Sequence, residues 1–543
     1  MADPARVELS GGFPHRGALR GRRGCVAADH PLAAQAGMAV LREGGSAADA
    51  AVAMGAVMVV VQPQYSQLGG DGFAMVWDQA TRSVSAMNSA GPSPMGLDAE
   101  EYRRLGRIPM HGGLAVTAPG VVAGWWALHQ RHGKLPWKRL FEDAIAYARE
   151  GFPASRGLAR ALASVGRASR ESFPFEAGAG QPVVQAPLAR TLVAIAAGGQ
   201  EAFYGDEVAS ACRERLAADG AEFSAEEWQP PARWLEPIVG DYAGHRVWAS
   251  PPQTQGFVLP LALALTPRPP LPTSRERGSH AVAMFNALHV ALGLREWELS
   301  DPDVTGFDPQ RYFAAEELER LLGIRTKSPV GARADGDTTY ILAIDAAGNA
   351  VSWIQSVFAP WGSRVWVPEH GILMNNRMLG FTLEPGHPNE VAPGKRPAHT
   401  LHSYLATRAP SPPAPLPSGE GGFDSSEGAA LAVVGGTPGG YRQPQNNMQI
   451  LEHILREGMD VQDALDEPRW SVAPDGPGGQ RRVEVEMRPG STLAAEFESA
   501  GIGVIPFAAW DGQMGRPYVA CREVDGSYAV GADLRGEGQA LVW

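Results

Sequence analysis

The sequence predicts a mixed protein of helices and strands, and three observations carry that prediction. Between Pro31 and Val61 apolar residues recur at helical spacing in two segments separated by Gly44-Gly45. Around Thr339–Asp345 and Ala350–Ser356 the pattern switches to alternating apolar residues, joined by Ala346-Ala347-Gly348-Asn349 as a short hairpin. Apolar residues make up 44% and charged residues 20% of the 543, ordinary globular usage that excludes disorder across the whole chain. The length fits two to four domains or one large one.

The elements follow in order. Pro31 suits the first position of a helix, with Leu32, Ala36, Ala39 and Val40 on its apolar stripe. Ser46, with Asp49 three residues on, opens a second helix, Ala47 to Val61, whose apolar character on every side predicts a buried central element. Gly69-Gly70-Asp71-Gly72 then turns into a strand, Phe73 to Trp77. Nothing around the glycines fits a phosphate-binding loop, so tight packing is the better reading. Helical patterns continue at 135–150 and 187–198, and a β-like patch spans Tyr242–Trp248. Leu431 to Val434 reads as a buried strand that meets Gly435-Gly436-Thr437-Pro438-Gly439-Gly440. Two stretches rich in Pro, Ser and Gly, 266–279 and 408–428, read as exposed loops inserted into the domain.

Charge and composition narrow the partners. A net charge of −12 argues against nucleic acid, which needs a basic face. The N-terminal stretch has no apolar core after a basic start, and the longest apolar run, Ala51 to Val61, falls short of the roughly 20 residues of a membrane span. The expectation is a soluble cytoplasmic protein with no membrane partner. Cys25, Cys212 and Cys521 are too few and scattered for a disulfide framework, and Cys25 lacks any nucleophile motif. His111, His132 and His280 sit at no ligand spacing, so no metal and no cofactor is expected.

The chemistry concentrates in Asp335-Gly336-Asp337-Thr338-Thr339-Tyr340, where a polar stretch enters a strand. A Thr-Thr pair alone is ordinary strand sequence. Its company is not: Ser356 ends the next strand, Asn375-Asn376 follow, and Gly439-Gly440 lie further on. With AADHPLAAQAGMAVLREGGSAADAAVA (27–53), LGGDGF (68–73), AVTAPGVVAGW (115–125), DGDTTYILAIDAAGNAVS (335–352), GILMNNRM (371–378) and GGTPGG (435–440), the chain resembles the γ-glutamyltranspeptidase family of N-terminal-nucleophile hydrolases over nearly its whole length.

That resemblance implies an α+β fold, a four-layer αββα sandwich. It also implies a precursor cut between Asp337 and Thr338 into a large chain, 1–337, and a small chain, 338–543, that form one structural unit and could pair further. A threonine hydroxyl needs an adjacent base. The α-amino group freed by the cut has an ordinary pKa of about 7.7–8.0 and can serve as one. Thr338 would attack an amide and pass its acyl group to water or an amine. By the same resemblance Gly439 and Gly440 supply the oxyanion hole, Ser356 bonds the new amino terminus, and Asn375 and Asn376 shape the site. His30 reads as structural at its helix start.

The pocket departs from the family. No arginine stands in Met87-Asn88-Ser89-Ala90-Gly91-Pro92, no serine pair follows Lys395-Arg396-Pro397, and no aspartate lies near Met378-Leu379-Gly380. A free γ-glutamyl group loses a bidentate arginine contact and a partner for its ammonium, which leaves glutathione hydrolysis as the second reading. Arg377, His399, Thr400, His402 and Arg442 stand in the pocket-lining segments instead, a pattern similar to the branch with oxamate amidohydrolases and acylases. A small acyl-amide with a carboxylate on Arg377 is the expected substrate, unless Arg377 pairs with an internal acid. An uncut, inactive binding relative is the third reading.

Overall fold

The computed structural model describes residues 16–165, 176–267, 277–323, 337–409 and 429–543. The first helix, Pro31–Arg42, starts on a proline whose missing N–H would have no partner there, and His30 caps it by accepting the Leu32 N–H at 3.2 Å. Ser46 and Asp49 satisfy each other's backbone N–H groups in a complete capping box. All 15 residues of Ala47–Val61 behind it are buried.

Two seven-stranded antiparallel sheets form the centre. The first runs Gln539–Val542, Cys25–Ala28, Thr339–Ile344, Ala350–Ser356, Asp71–Asp78, Ser83–Asn88, Arg233–Leu235. The second runs Leu19–Gly21, Tyr528–Ala532, Tyr518–Arg522, Ala430–Gly436, Tyr404–Arg408, His245–Ala249, Ile238–Tyr242. Alternation along each strand sorts the core. Tyr340, Leu342 and Ile344 meet Leu405, Val434 and Tyr518 between the sheets. Ile341 and Ala343 face the other way, onto the helices Pro31–Arg42 and Ala47–Val61. Tyr404 and Ala406 on the second sheet likewise pack beneath Val258–Leu265 and Arg277–Glu298. Helices thus cover both outer faces, and each sheet takes strands from both sides of the Asp337–Thr338 bond. No helix among the described residues is long and apolar enough to cross a membrane.

Several local expectations shift. The patch at Tyr242–Trp248 is a hairpin, Ile238–Tyr242 and His245–Ala249, turned through Ala243 (φ 47°) and Gly244 (φ 76°); an alanine in the left-handed region leaves no sequence signal. The segment from Leu135 begins as a 3₁₀ turn, Trp137–Phe141, before the helix Glu142–Glu150. Arg277–Ser279, read as loop, opens the helix Arg277–Glu298, and Arg408 closes the strand Tyr404–Arg408. Thr266, also read as exposed loop, is buried at the end of the helix Val258–Leu265, and residues 268–276 and 410–428 lie outside the described residues. The glycines at 69–72 serve packing: a Cβ on Gly72 would lie 2.5 Å from the Trp353 ring.

Candidate active site

Thr338 lies at the entrance of Thr339–Ile344, in the middle of the first sheet, and is buried. Thr339 pairs with Gln355, so one step along the same register Ser356 stands opposite Thr338. The Ser356 hydroxyl donates to the carbonyl oxygen of Asp337 at 2.8 Å and accepts the Phe358 N–H at 2.8 Å. Asp337 returns its own N–H to the Phe358 carbonyl at 2.9 Å. Phe358 holds this arrangement with φ +82°, a costly conformation for an aromatic residue and one of three such non-glycine positions between 358 and 364.

The Asp337 side chain is clamped. Its Oδ1 accepts both the Thr338 N–H and the Arg516 Nη2–H at 2.8 Å, and Oδ2 lies 3.4 Å from Arg516 Nη1. Arg516 also approaches Asp29, with Nε and Nη2 each 3.4 Å from a carboxylate oxygen, while the Tyr518 hydroxyl donates to Asp29 at 2.7 Å. Burial pushes the Asp29 carboxyl up to about 6 against the pull of Arg516 and Tyr518. Burial also opposes the charge on Arg516, but Asp29 and Asp337 outweigh it and hold the guanidinium protonated.

The glycine turn reaches the same place from the second sheet. Gly436 ends the strand Ala430–Gly436 flat against Tyr340, where a Cβ would come within 2.2 Å of the ring. Thr437 accepts the Arg516 backbone N–H at 3.1 Å. Gly439 (φ +127°) and Gly440 (φ +54°) follow, in conformations that favour glycine. Neither of their N–H groups has an acceptor among the described residues. Gln255 Nε2 fixes the turn by donating to the carbonyls of Gly440 and Thr400.

The remaining residues sort by what they touch. Asn375 is saturated by Thr117, Gly69 and the Arg377 N–H, and Asn376 by Ala359 and Met110, so both brace loops. Arg377 is completely buried. Its Nε lies 3.4 Å from Asp71 and its guanidinium covers the Phe358 ring at 4.5 Å, which is the pairing with an internal acid. His399 shares Asp71 at 3.3 Å, and burial with Arg377 nearby holds it well below the ordinary histidine range, hence neutral. The Thr400 hydroxyl has no partner among the described residues. His402 is buried, and burial lowers it to about 4. Arg442 makes a two-point contact with Glu484, at 2.9 Å each, between Tyr441 and Phe507. Cys25 is buried and its thiol is pushed up to about 12, which leaves it inert.

A γ-glutamyltranspeptidase family model matches residues 33–543. The chain belongs to the γ-glutamyltranspeptidase family. It is 32% identical to the glutathione hydrolase-like YwrD proenzyme of Bacillus subtilis (strain 168), over 96% of this chain and 98% of that one. It is 30% identical to the oxamate amidohydrolase proenzyme of Klebsiella pneumoniae, over 95% and 98%. Its fold superposes on cephalosporin acylase from Bacillus halodurans with a TM-score of 0.85 and 28% identity, over 100% and 99%. This γ-glutamyltranspeptidase-family chain is therefore an enzyme of the N-terminal-nucleophile class, an amide hydrolase or acyltransferase. Sequence reasoning misses three residues of the candidate site. Asp29 lies inside the AADHPL stretch, where His30 is the conspicuous residue, while Phe358 and Arg516 carry no local motif at all.

Proposed function

We propose that this protein cuts itself between Asp337 and Thr338 and then hydrolyses small amides with Thr338 as an N-terminal nucleophile. The observation that carries the reading is the Ser356 hydroxyl on the Asp337 carbonyl oxygen at 2.8 Å, a donor aimed at the atom that becomes an oxyanion. In the first reaction Thr338 Oγ attacks the Asp337 carbonyl carbon. The C–N bond breaks as the C–O bond forms, and the hydroxyl proton ends on the Thr338 nitrogen. Water then cleaves the ester, releases the Asp337 carboxylate and restores the hydroxyl.

In turnover the freed α-amine takes the Thr338 hydroxyl proton while Oγ attacks the substrate amide, and then delivers that proton to the leaving amine. The open N–H groups of Gly439 and Gly440 receive the oxyanion; a donor of this kind contributes about 2.7–4 kcal/mol to the transition state. Water or an acceptor amine discharges the acyl-enzyme. A small amide bearing a carboxylate is the substrate favoured, in keeping with the oxamate amidohydrolase relative.

The test is the mature protein itself. Denaturing electrophoresis and N-terminal sequencing should give two chains, the smaller starting at Thr338, and Thr338→Ala should stay in one piece without amidase activity. An active wild type with the 337–338 peptide intact, or an active Thr338→Ala, overturns the proposal.

A further inference from the structure

We infer that Arg516 is the residue that recognises the substrate's carboxylate, and that Asp337 holds its place until the chain is cut. The inference rests on the self-cleaving reading above and adds to it the chemical class of the acyl group.

In the first reaction Asp337 is itself the acyl donor. Its main-chain carbonyl carbon is attacked, and its side-chain carboxylate lies three bonds away, through Cα and Cβ. That carboxylate is the group Arg516 holds, at 2.8 Å from Nη2 and 3.4 Å from Nη1. The ester formed on Thr338 Oγ is then an acyl-enzyme with a carboxylate-bearing chain seated on an arginine. Every later acyl-enzyme hangs from the same oxygen. Hydrolysis of the first ester frees the Asp337 end of the large chain from Thr338 Oγ, and its departure from Arg516 returns the Nη1 and Nη2 face to the site.

The surroundings of Arg516 support a recognition role. Asp29 remains beside it, but only at 3.4 Å and on the Nε and Nη2 side, and the Tyr518 hydroxyl already shares that carboxylate. The Tyr65 ring lies 5.5 Å from the guanidinium carbon. The backbone N–H on Thr437 fixes Arg516 beside the glycine turn. The Arg516 and Asp337 side chains keep 15% and 20% of their surface exposed, so the pair borders solvent. Arg377, another cation near the site, is wholly buried 3.4 Å from Asp71 and over the Phe358 ring, its guanidinium nitrogens without a hydrogen-bond partner among the described residues. A guanidinium with two free N–H groups suits a carboxylate in two-point contact.

The spacing in Asp337 sets the class: monoamides of short dicarboxylic acids, with the four-carbon acid matching best. Succinamate reproduces the distance from acyl carbon to carboxylate, glutaramate is one carbon longer, and oxamate has the carboxylate directly on the acyl carbon.

The experiment compares kcat/KM of the mature enzyme for oxamate, succinamate, glutaramate and uncharged butyramide. Succinamate should exceed butyramide by about tenfold to a hundredfold, the range of one charge-assisted contact. Arg516→Gln, shown to be cut by intact-mass measurement, should lose most of that ratio, and Arg516→Lys should recover part of it. A ratio unchanged in Arg516→Gln, or absent in the wild type, overturns the assignment. A wild-type preference for oxamate over succinamate overturns the four-carbon spacing. Should Arg516→Gln remain uncut, inhibition of the wild type decides: succinate should act at a concentration at least about tenfold below butyrate, and equal potency overturns the inference. A cut, active enzyme blind to carboxylates removes this inference alone, whereas an uncut active chain removes the threonine reading beneath it.

Discussion

Ser356 donates its hydroxyl proton to the carbonyl oxygen of Asp337 at 2.8 Å, and the Phe358 N–H that it accepts at the same distance keeps its own lone pair occupied and its proton directed there. The carbonyl is thereby polarised before any nucleophile arrives. The strained Phe358 backbone fixes both ends of this arrangement, since its N–H meets Ser356 and its carbonyl meets the Asp337 N–H.

Removing that donor should slow self-cleavage. Ser356→Ala is expected to cut about a hundredfold to a thousandfold more slowly, the usual cost of one lost oxyanion donor, whereas Ser356→Thr keeps the hydroxyl and should cut at a comparable rate. The fraction of full-length chain on a denaturing gel, followed with time after purification, measures this. Complete cutting of Ser356→Ala at the earliest time point would remove Ser356 from the mechanism.

Gly439 tests the oxyanion turn without a steric clash. A Cβ there meets nothing closer than 3.7 Å, so Gly439→Ala probes the φ of +127° alone. Forcing an alanine into that region costs about 1–3 kcal/mol, and the turn escapes the cost by rotating its N–H away from the site. The variant is expected to fold and to lose kcat far more than it raises KM. Steady-state kinetics on the cut variant check this; a kcat equal to wild type would mean that the turn serves packing only.

Much of the architecture was legible because its signals are local. The all-apolar run Ala47–Val61 announces a buried helix, and the alternation on either side of Gly348-Asn349 announces the central hairpin. Thr338, Ser356 and Gly439-Gly440 enter the candidate site through the family resemblance alone, since neither periodicity nor spacing distinguishes a nucleophilic threonine from a strand threonine. The clamp on Asp337 was not legible at all. Arg516 lies 179 residues away, and only the fold brings it there. Arg377 illustrates the same point: the arginine is conspicuous beside Asn375-Asn376, yet its partner Asp71 lies within the glycine turn of a distant segment. Ala243 failed for another reason, because a hairpin turn was made by a residue type that turns rarely select.

Arg442 and Glu484 form a buried ion pair that serves stability. Arg442→Ala leaves the Glu484 carboxylate without its two-point partner, and should destabilise the fold by about 3–5 kcal/mol. Arg442→Met combined with Glu484→Leu should recover most of that loss, because the second change removes the stranded charge. Denaturant unfolding of the three proteins measures the cycle. Equal stability of Arg442→Ala and wild type would mean that the pair adds nothing to the stability of the fold.

His30 should make stability depend on pH in a predictable direction. Burial lowers the imidazole to about 4, with Glu537 opposing weakly, against an ordinary value of 6.5. Between those values the unfolded chain binds a proton that the folded chain refuses, so the contribution of His30 is complete above about pH 6.5 and shrinks as pH falls toward 4. His280 and His402, also lowered to about 4, add to the same trend, while Asp29, raised to about 6, works against it as pH falls. His30→Asn keeps a side-chain acceptor for the Leu32 N–H and removes the titration. From pH 7.5 to 5.0 the variant should lose about 1–2 kcal/mol less than wild type, read from urea midpoints at the two pH values. Identical losses in both proteins would place the His30 proton on the folded state as readily as on the unfolded one.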